Sequence, residues 1–436
     1  MASLSNLSLS LPSHLPHLAP LSPSFKPSRQ FLCCSSATRH SSNAQNSTLH
    51  SPTGGSSELR VLFAAGGTGG HISPAVAIAD ELKLLNRNAR ILFVGTPNSM
   101  ESTAIASAGY EFASISAVQL ARPVVSPQNL FLPYRLMKSI IQSNRHLRNF
   151  NPHIVIGTGG YVSFPTCLAA AIRGIKLVIQ EQNAVPGIAN WILSFLADQI
   201  FVAYNSTIEG FPKSKKCVVC GNPVRLSLRK LASKGSALSH FFPKAVKEGS
   251  VSGAKVVLIL GGSFGASVLN VTFLNMYSQL LLEKDNLFFI WQTGVQAIDE
   301  MESLVKPHPH VYLAPFLHSM DLAYAAADLI VSRAGAMTCS EILAMGKPCI
   351  LIPSPNVAEG HQFRNASLMA DLAGSRVISE DELDSLTLKA TIEEILEDEK
   401  MMEEMSERAL KAAKPNASAE IAERILSLVE LSTAPM

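Results

Sequence analysis

Charged side chains are scarce in this sequence: Asp, Glu, Lys and Arg make up 16% of its 436 residues, where roughly 25% is usual for a soluble domain. With 47% hydrophobic residues and a formal net charge of +2, the chain is neither disordered nor a polybasic nucleic-acid binder. A collagen and a coiled coil are excluded on the same grounds. Long apolar runs are missing too. The longest candidate, residues 192–201, is short and contains Asp198, so nothing reaches the roughly 18 uncharged residues of a membrane span. Buried parallel strands, which read as continuous Val/Ile/Leu runs, account better for the apolar excess. Cysteine supplies no framework: Cys217-Val-Val-Cys220 has no second pair and no nearby His, and zinc needs four ligands, so the two read as strand cysteines.

Acid is absent from the first 57 residues. They hold Lys26, Arg29 and Arg39, no carboxylate and sixteen serines. This Ser- and Pro-rich segment has no helical periodicity and resembles a chloroplast transit peptide, with a mitochondrial presequence as second choice. Beyond it the charge is uneven: residues 58–225 carry 15 Lys/Arg against 8 Asp/Glu, and residues 226–436 carry 18 against 26. The two halves are expected to face different partners, the basic half an anionic membrane or a phosphorylated substrate.

From Leu59 onward an apolar run, a glycine turn and a helical period alternate. Strands are predicted at 59–65, 91–94, 154–156, 177–179, 200–203 and 217–219. Residues 227–253, with Gly235, Gly249 and Gly253, read as an interdomain connection plus a surface helix. The opening pattern then returns, with strands at 256–260, 288–291, 311–313, 329–331 and 349–352. The fold class is therefore α/β: two Rossmann-like, doubly wound parallel-sheet domains, at 58–226 and 254–412, with a cleft between them. A final helix at 413–436 is expected to pack back across the boundary.

Three glycine turns precede helices: residues 66–71 (Gly-Gly-Thr-Gly-Gly-His), 157–161 (Gly-Thr-Gly-Gly-Tyr) and 261–266 (Gly-Gly-Ser-Phe-Gly-Ala). Such turns let backbone N–H groups approach a phosphate at the positive end of a helix. One turn is weak evidence; three favour a substrate with several phosphates. No G-x-x-x-x-G-K-[ST] is present, and Ile72 stands where a dinucleotide fingerprint needs its third glycine, so P-loop and dehydrogenase readings fail. A further constellation, Ser332-Arg333-Ala334-Gly335-Ala336-Met337-Thr338-Cys339-Ser340-Glu341, could hold a nucleotide diphosphate and its ribose. Equally, Thr338-x-x-Glu341 fits a capping box in which Glu341 bonds only backbone.

Taken with Glu181-Gln182-Asn183, Gly221-Asn222-Pro223-Val224-Arg225 and His361-Gln362-x-x-Asn365-Ala366, these elements make the chain, from Leu59 to its C-terminus, resemble the MurG family. That resemblance implies a GT-B fold and an inverting transfer of N-acetylglucosamine from UDP-GlcNAc to a polyprenyl-diphosphate-linked acceptor, a step of peptidoglycan precursor synthesis and so of cell division. It implies a UDP-GlcNAc site of Thr68, Gly69, Gly70, Asn183, Arg225, Ser263, Leu317 (through its backbone), Arg333, Ala336, Met337, Thr338, Cys339, Ser340, Glu341 and Gln362. Gly67, Gly159, Gly160 and Tyr161 would face the acceptor diphosphate. An inverting transfer needs a general base at the acceptor hydroxyl and charge stabilisation at the leaving diphosphate. His71 suits the base by type and position; its alternative is a turn-packing histidine. Glu181 is the second candidate, with a role in the cleft wall as its alternative.

No Asp-x-Asp triplet occurs, so no tightly held metal and no cofactor is expected, with stimulation by Mg²⁺ left open. Residues 130–148 mix Leu130, Phe131, Leu132, Leu136, Met137, Ile140 and Ile141 with Arg135, Lys138, Arg145 and Arg148. Such a segment suits peripheral docking on anionic lipid, against the ordinary alternative of a helix whose apolar stripe faces the core. Location is expected on the stromal side of the chloroplast inner envelope. The rival readings are a galactolipid synthase using UDP-galactose and diacylglycerol, and a non-catalytic nucleotide-sugar-binding membrane scaffold.

Overall fold

The computed structural model describes residues 58–433, apart from 118, 120, 122–125, 230, 231, 263, 264, 358 and 359. The N-terminal segment read as a transit peptide therefore lies outside the described residues. Thirteen strands form two sheets. The first lobe contains β1 (Arg60–Ala64), β2 (Arg90–Gly95), β3 (Glu111–Ser114), β4 (Ile154–Gly157), β5 (Lys176–Glu181), β6 (Gln199–Val202) and β7 (Cys217–Val219). The second contains β8 (Lys255–Leu260), β9 (Leu287–Gln292), β10 (Val311–Ala314), β11 (Leu329–Ser332), β12 (Cys349–Leu351) and β13 (Arg376–Val377). Strand order is β3-β2-β1-β4-β5-β6-β7 in one sheet and β10-β9-β8-β11-β12-β13 in the other. All pairs are parallel.

Each order reverses once, between β1 and β4 and between β8 and β11. In open parallel sheets the ligand crevice lies at this switch point, outside the carboxyl ends of the strands. The four segments that leave those ends are residues 66–71, 157–161, 261–266 and 333–341, the segments singled out above. Two strands escaped the sequence reading. Both are edge strands without an apolar run: β3 is half-buried at best and β13 is exposed.

The central strands are buried on both faces. Val61 and Phe63 face one core while Leu62 and Ala64 face the other, as a two-residue period requires. Phe63 stacks on Phe93 of β2 with ring centroids 4.9 Å apart. In the second lobe Val256, Leu258 and Leu260 face one core, Val257 and Ile259 the other.

Residues 227–253 are more than a connection. They carry two short helices, Lys234–Phe241 and Pro243–Lys247. Ala237, Leu238, Phe241, Phe242 and Ala245 join the second lobe's core beside Val256 and Leu258. Lys234 Nζ contacts both oxygens of Asp328, at 2.7 and 2.6 Å, and Asp328 Oδ2 accepts from Val256 N at 2.7 Å. Lys234 therefore anchors this stretch to the second lobe.

The C-terminal helix Ala417–Thr433 returns to the first lobe. Its Ile421, Ala422, Ile425 and Val429 pack with Leu59, Ile78 and Leu82, and Lys176 Nζ donates to Leu428 O at 2.8 Å. The chain thus crosses between lobes twice, and the two crossings touch at Gly221 (φ 90°), where a Cβ would lie 2.4 Å from that of Lys414. Ile425→Ala should cost ~2–5 kcal/mol, the usual range for truncating a buried Ile. Hydrogen exchange should then quicken in the helix Gly69–Leu85, far away in sequence, and not in β8–β11.

Candidate active site in the cleft between the lobes

The first-lobe wall of the cleft is made by two glycine turns packed against each other. A Cβ on Gly160 (φ 82°) would lie 2.4 Å from Gly66 O and 2.8 Å from His71 Cδ2. One on Gly67 (φ 89°) would strike the Tyr161 ring at 2.8 Å. Neither contact leaves room for a side chain, and both backbones need the left-handed region. Thr68 is the N-cap of the helix Gly69–Leu85 and Gly159 that of Gly160–Ile172, and neither end has a side-chain cap. Apart from His71 N, which donates to Thr68 O at 3.1 Å, the first-turn amides of the two helices lack an intrahelical acceptor and make a positive rim suited to phosphate.

His71 sits in the first turn of its helix, half-buried. Its carbonyl accepts from Thr158 Oγ1 at 2.7 Å, and its Nδ1 lies 3.2 Å from Gln182 Oε1. Burial holds the imidazolium below the usual histidine range, with Glu181 opposing and His361 adding to the effect. The ring is thus neutral near pH 7, as a general base must be.

Glu181, at the end of β5, is buried. Its Oε1 accepts from Asn183 N and Nδ2, at 3.1 and 3.0 Å. Its Oε2 accepts from Gly187 N and Asn190 Nδ2, at 3.0 and 2.9 Å. These contacts fill a carboxylate's acceptor sites, so Glu181 has the geometry of the wall anchor rather than of a base with a lone pair to spare. It shapes the loop that presents Asn183. Asn183 Oδ1 in turn accepts from Asn365 Nδ2 of the second lobe at 3.3 Å, and Asn365 Oδ1 accepts from Ala184 N at 3.0 Å.

The second-lobe wall is the helix Ala336–Met345. Gly335 is its N-cap, which places Thr338 three positions too late to be the cap of a capping box. Glu341 is buried, and its partners are side chains: Arg225 Nε donates to Oε1 at 2.9 Å and Tyr324 OH to Oε2 at 2.8 Å. The capping alternative is thereby overturned. Glu341 holds Arg225 protonated and, with burial, pushes the Tyr324 phenol well above its ordinary range. Each carboxylate oxygen keeps one acceptor position for a ligand hydroxyl. Ser340 Oγ accepts from Asn222 Nδ2 at 2.9 Å, a second tie between the lobes.

The remaining sequence-derived residues divide. Ala336, Met337 and Thr338 lie in the first turn of this helix. Cys339 does not face the cleft: its side chain is enclosed in the second-lobe core, so only its backbone could serve. Arg333 is committed to Glu380, at 2.7 Å, and to Ile352 O. Leu317 N already donates to Gln292 Oε1 at 3.1 Å, leaving its carbonyl. Gln362 Oε1 accepts from Ser354 N at 2.9 Å, leaving its amide hydrogens to donate. Ser263 lies outside the described residues. Gln182, Asn222, Tyr324 and Asn365 were not among the expected site residues. Three of them stand inside quoted motifs, which was their only local signal; Tyr324 had none.

Comparison with known proteins agrees with this geometry. The family model described as the glycosyltransferase family 28 N-terminal domain matches residues 61–202, and that of the C-terminal domain matches residues 256–425. A Flavobacterium psychrophilum protein named UDP-N-acetylglucosamine–N-acetylmuramyl-(pentapeptide) pyrophosphoryl-undecaprenol N-acetylglucosamine transferase is 40% identical over 374 residues, covering 86% of this chain and 98% of that one. A Bacillus cereus transferase 1 of the same name is 39% identical over 378 residues, covering 85% and 100%. The crystal structure of Acinetobacter baumannii MurG superposes with a TM-score of 0.63 at 28% identity, covering 85% of this chain and 99% of that one. With two parallel-sheet lobes, glycine turns at both switch points and near-complete coverage of these relatives, the chain belongs to the MurG family within glycosyltransferase family 28.

Proposed function

We propose that this protein is an inverting glycosyltransferase that moves N-acetylglucosamine from UDP-N-acetylglucosamine to the muramyl 4-hydroxyl of a polyprenyl-diphosphate-linked acceptor. The observation that carries the reading is the 40% identity held over 98% of the Flavobacterium transferase, because it spans both lobes and hence both walls of the cleft. The galactolipid and scaffold readings are not favoured by it, and a half-buried neutral imidazole beside phosphate-ready turns is more than a binding protein requires.

The chemistry follows from the residues. The acceptor oxygen attacks the anomeric carbon, the bond from that carbon to the UDP oxygen breaks, and UDP leaves with the electron pair. His71 takes the hydroxyl proton. Charge on the departing diphosphate meets helix N-terminal amides and Arg225. Glu341 accepts from the ribose hydroxyls while its other contacts hold Arg225 in place. Residues 66–71 and 157–161 receive the acceptor diphosphate. We assign no tightly held metal to this step, since the sequence has no Asp-x-Asp; stimulation by Mg²⁺ is compatible with it.

Access to a lipid acceptor is supported by the helix Leu132–Phe150 and the turn before it. This helix buries Ser139, Ser143 and Leu147, and Ser143 Oγ lies 3.0 Å from Thr166 Oγ1. Leu130, Phe131, Tyr134, Met137 and Ile141 are exposed instead, beside the exposed Arg135 and Lys138. An apolar stripe turned outward among cations fits an anionic bilayer better than a core. Among the described residues no helix is long and apolar enough to cross a membrane. We further propose that residues 1–57 direct import into a plastid, on their lack of acid and wealth of serine, and that the enzyme works at the stromal face of the inner envelope.

Purified protein should transfer label from UDP-GlcNAc to lipid I; transfer only from UDP-galactose to diacylglycerol would replace this function with the galactolipid one. His71→Ala should lower kcat on the order of 10²- to 10⁴-fold while UDP affinity holds. In the wild type, kcat/KM should fall with acid only below the ordinary histidine range, since burial disfavours the charged ring; a limb well above that range would remove His71 as base. Glu341→Gln should weaken UDP about tenfold or more, the value of a hydrogen bond to a charged group. If melting temperature drops and UDP affinity does not, Glu341 serves only Arg225 and Tyr324. Lys138→Glu with Arg135→Glu should reduce sedimentation with anionic vesicles and spare UDP binding; unchanged sedimentation would discard the docking face.

A further inference from the structure

A histidine can act as base at a given ring nitrogen only if its proton is held on the other one. The hydrogen-bond chain behind His71 decides which. Asn222 Nδ2 lies 2.9 Å from the main-chain oxygen of Gln182. A carbonyl can only accept, so that atom is the amide nitrogen and Asn222 Oδ1 is the oxygen. Asn222 Oδ1 then receives Gln180 Nε2, at 3.0 Å. Gln180 Oε1 consequently faces Gln182 Nε2, with which it is hydrogen-bonded. Gln182 Nε2 also donates to Thr158 O at 2.8 Å and approaches Gln180 O at 3.3 Å. Flipping the Gln182 amide would set its oxygen against three oxygens. Its Oε1 must therefore point to His71, whose Nδ1 lies 3.2 Å away. An oxygen acceptor there requires Nδ1 to carry the proton, which leaves the Nε2 lone pair for substrate. All three amides are buried, so water cannot scramble the arrangement.

We infer that Gln182 is a positioning residue for glycosyl transfer: it locks His71 as the Nδ1–H tautomer and presents Nε2 to the acceptor hydroxyl. The chain does not end in the first lobe. Asn222 Nδ2 also lies 2.9 Å from Ser340 Oγ, on the helix that carries Glu341. The base is thereby oriented from the donor-side wall as well as from its own. The elements packed on His71 bring two other titratable groups, Glu181 from the end of β5 and His361 from the second lobe. Glu181 spends its oxygens on Asn183, Gly187 and Asn190, and the acceptor at Nδ1 is Gln182 Oε1. A neutral amide sets the tautomer without the full imidazolium stabilisation that a carboxylate would add, which keeps the ring a base near neutral pH.

The inference rests on His71 as the base, and the test separates the two. In ¹⁵N-histidine-labelled full-length protein, with His71 identified by its loss in His71→Gln, Nδ1 should show a protonated, pyrrole-type resonance and Nε2 a pyridine-type one. A pyrrole-type Nε2 in the wild type overturns the inference whatever the activity, whereas unchanged turnover in His71→Ala removes the base reading and leaves the tautomer standing. Gln182→Met, of similar length without an amide oxygen, should release the tautomer and lower kcat at least about tenfold and at most about 10⁴-fold, the loss where a catalytic histidine is held in the wrong tautomer. The KM for UDP-GlcNAc should stay within about twofold, because only a transition-state contact is lost. If Gln182→Met lowers melting temperature but leaves kcat per folded molecule intact, Gln182 is merely structural and the inference fails.

Discussion

Everything in the acceptor half of the cleft depends on how closely two glycine turns approach. Gly160 lies so near Gly66 O that no side chain fits between them. This contact brings the open amides of two helix N-termini side by side and lays the His71 ring along backbone rather than side chains. A rim suited to phosphate and the neutral ring of His71 thus occupy one small surface. Neither would survive a Cβ at Gly160, which would displace the ring as well as the turn.

Acid in this fold organises rather than reacts. Glu181 and Glu341 are both buried; Glu181 is fully engaged, and Glu341 is held by one hydrogen bond on each oxygen. One shapes the loop that carries Asn183; the other ties a first-lobe arginine to a second-lobe tyrosine. Burying a carboxylate is costly unless hydrogen bonds surround it, and each of these has them. The charge that the reaction needs can then come from main-chain dipoles, which require no reorganisation when the sugar moves. The direct side-chain contacts between the lobes described above are small and polar: Asn365 with Asn183 and Ala184, Asn222 with Ser340, Arg225 with Glu341. Polar interdomain contacts of this kind leave relative motion of the two walls as the default expectation.

The outward apolar stripe at residues 130–141 follows the same economy. A helix normally sends its large side chains inward, but here serines make the close contact with the neighbouring helix and the leucine, phenylalanine and methionine side chains are left outside. Close packing through Ser139 and Ser143 is what frees them.

Much of the fold was legible from local pattern. Apolar runs marked the buried strands because a parallel sheet covered on both faces has no polar side, and glycine turns marked the switch points because tight strand–helix turns leave no room for Cβ atoms. The edge strands β3 and β13 were silent for the converse reason: one face meets solvent, so no run forms. The anchoring role of Lys234 was silent too, since a lysine that reaches a half-buried aspartate looks the same in sequence as one in water. At the site, the chain itself determined that Glu181 ends a strand and that His71 opens the helix after the first glycine turn, since that follows from spacing along one polymer. Only the tertiary structure decided their roles. Glu341 became a cross-lobe anchor rather than a cap because Tyr324 and Arg225 arrive from elsewhere, and the His71 proton is placed by Gln182, Gln180 and Asn222, whose hydrogen bonds span up to 118 residues of sequence. Hydrogen-bond direction is a property of the partner, and the partner is chosen by the fold.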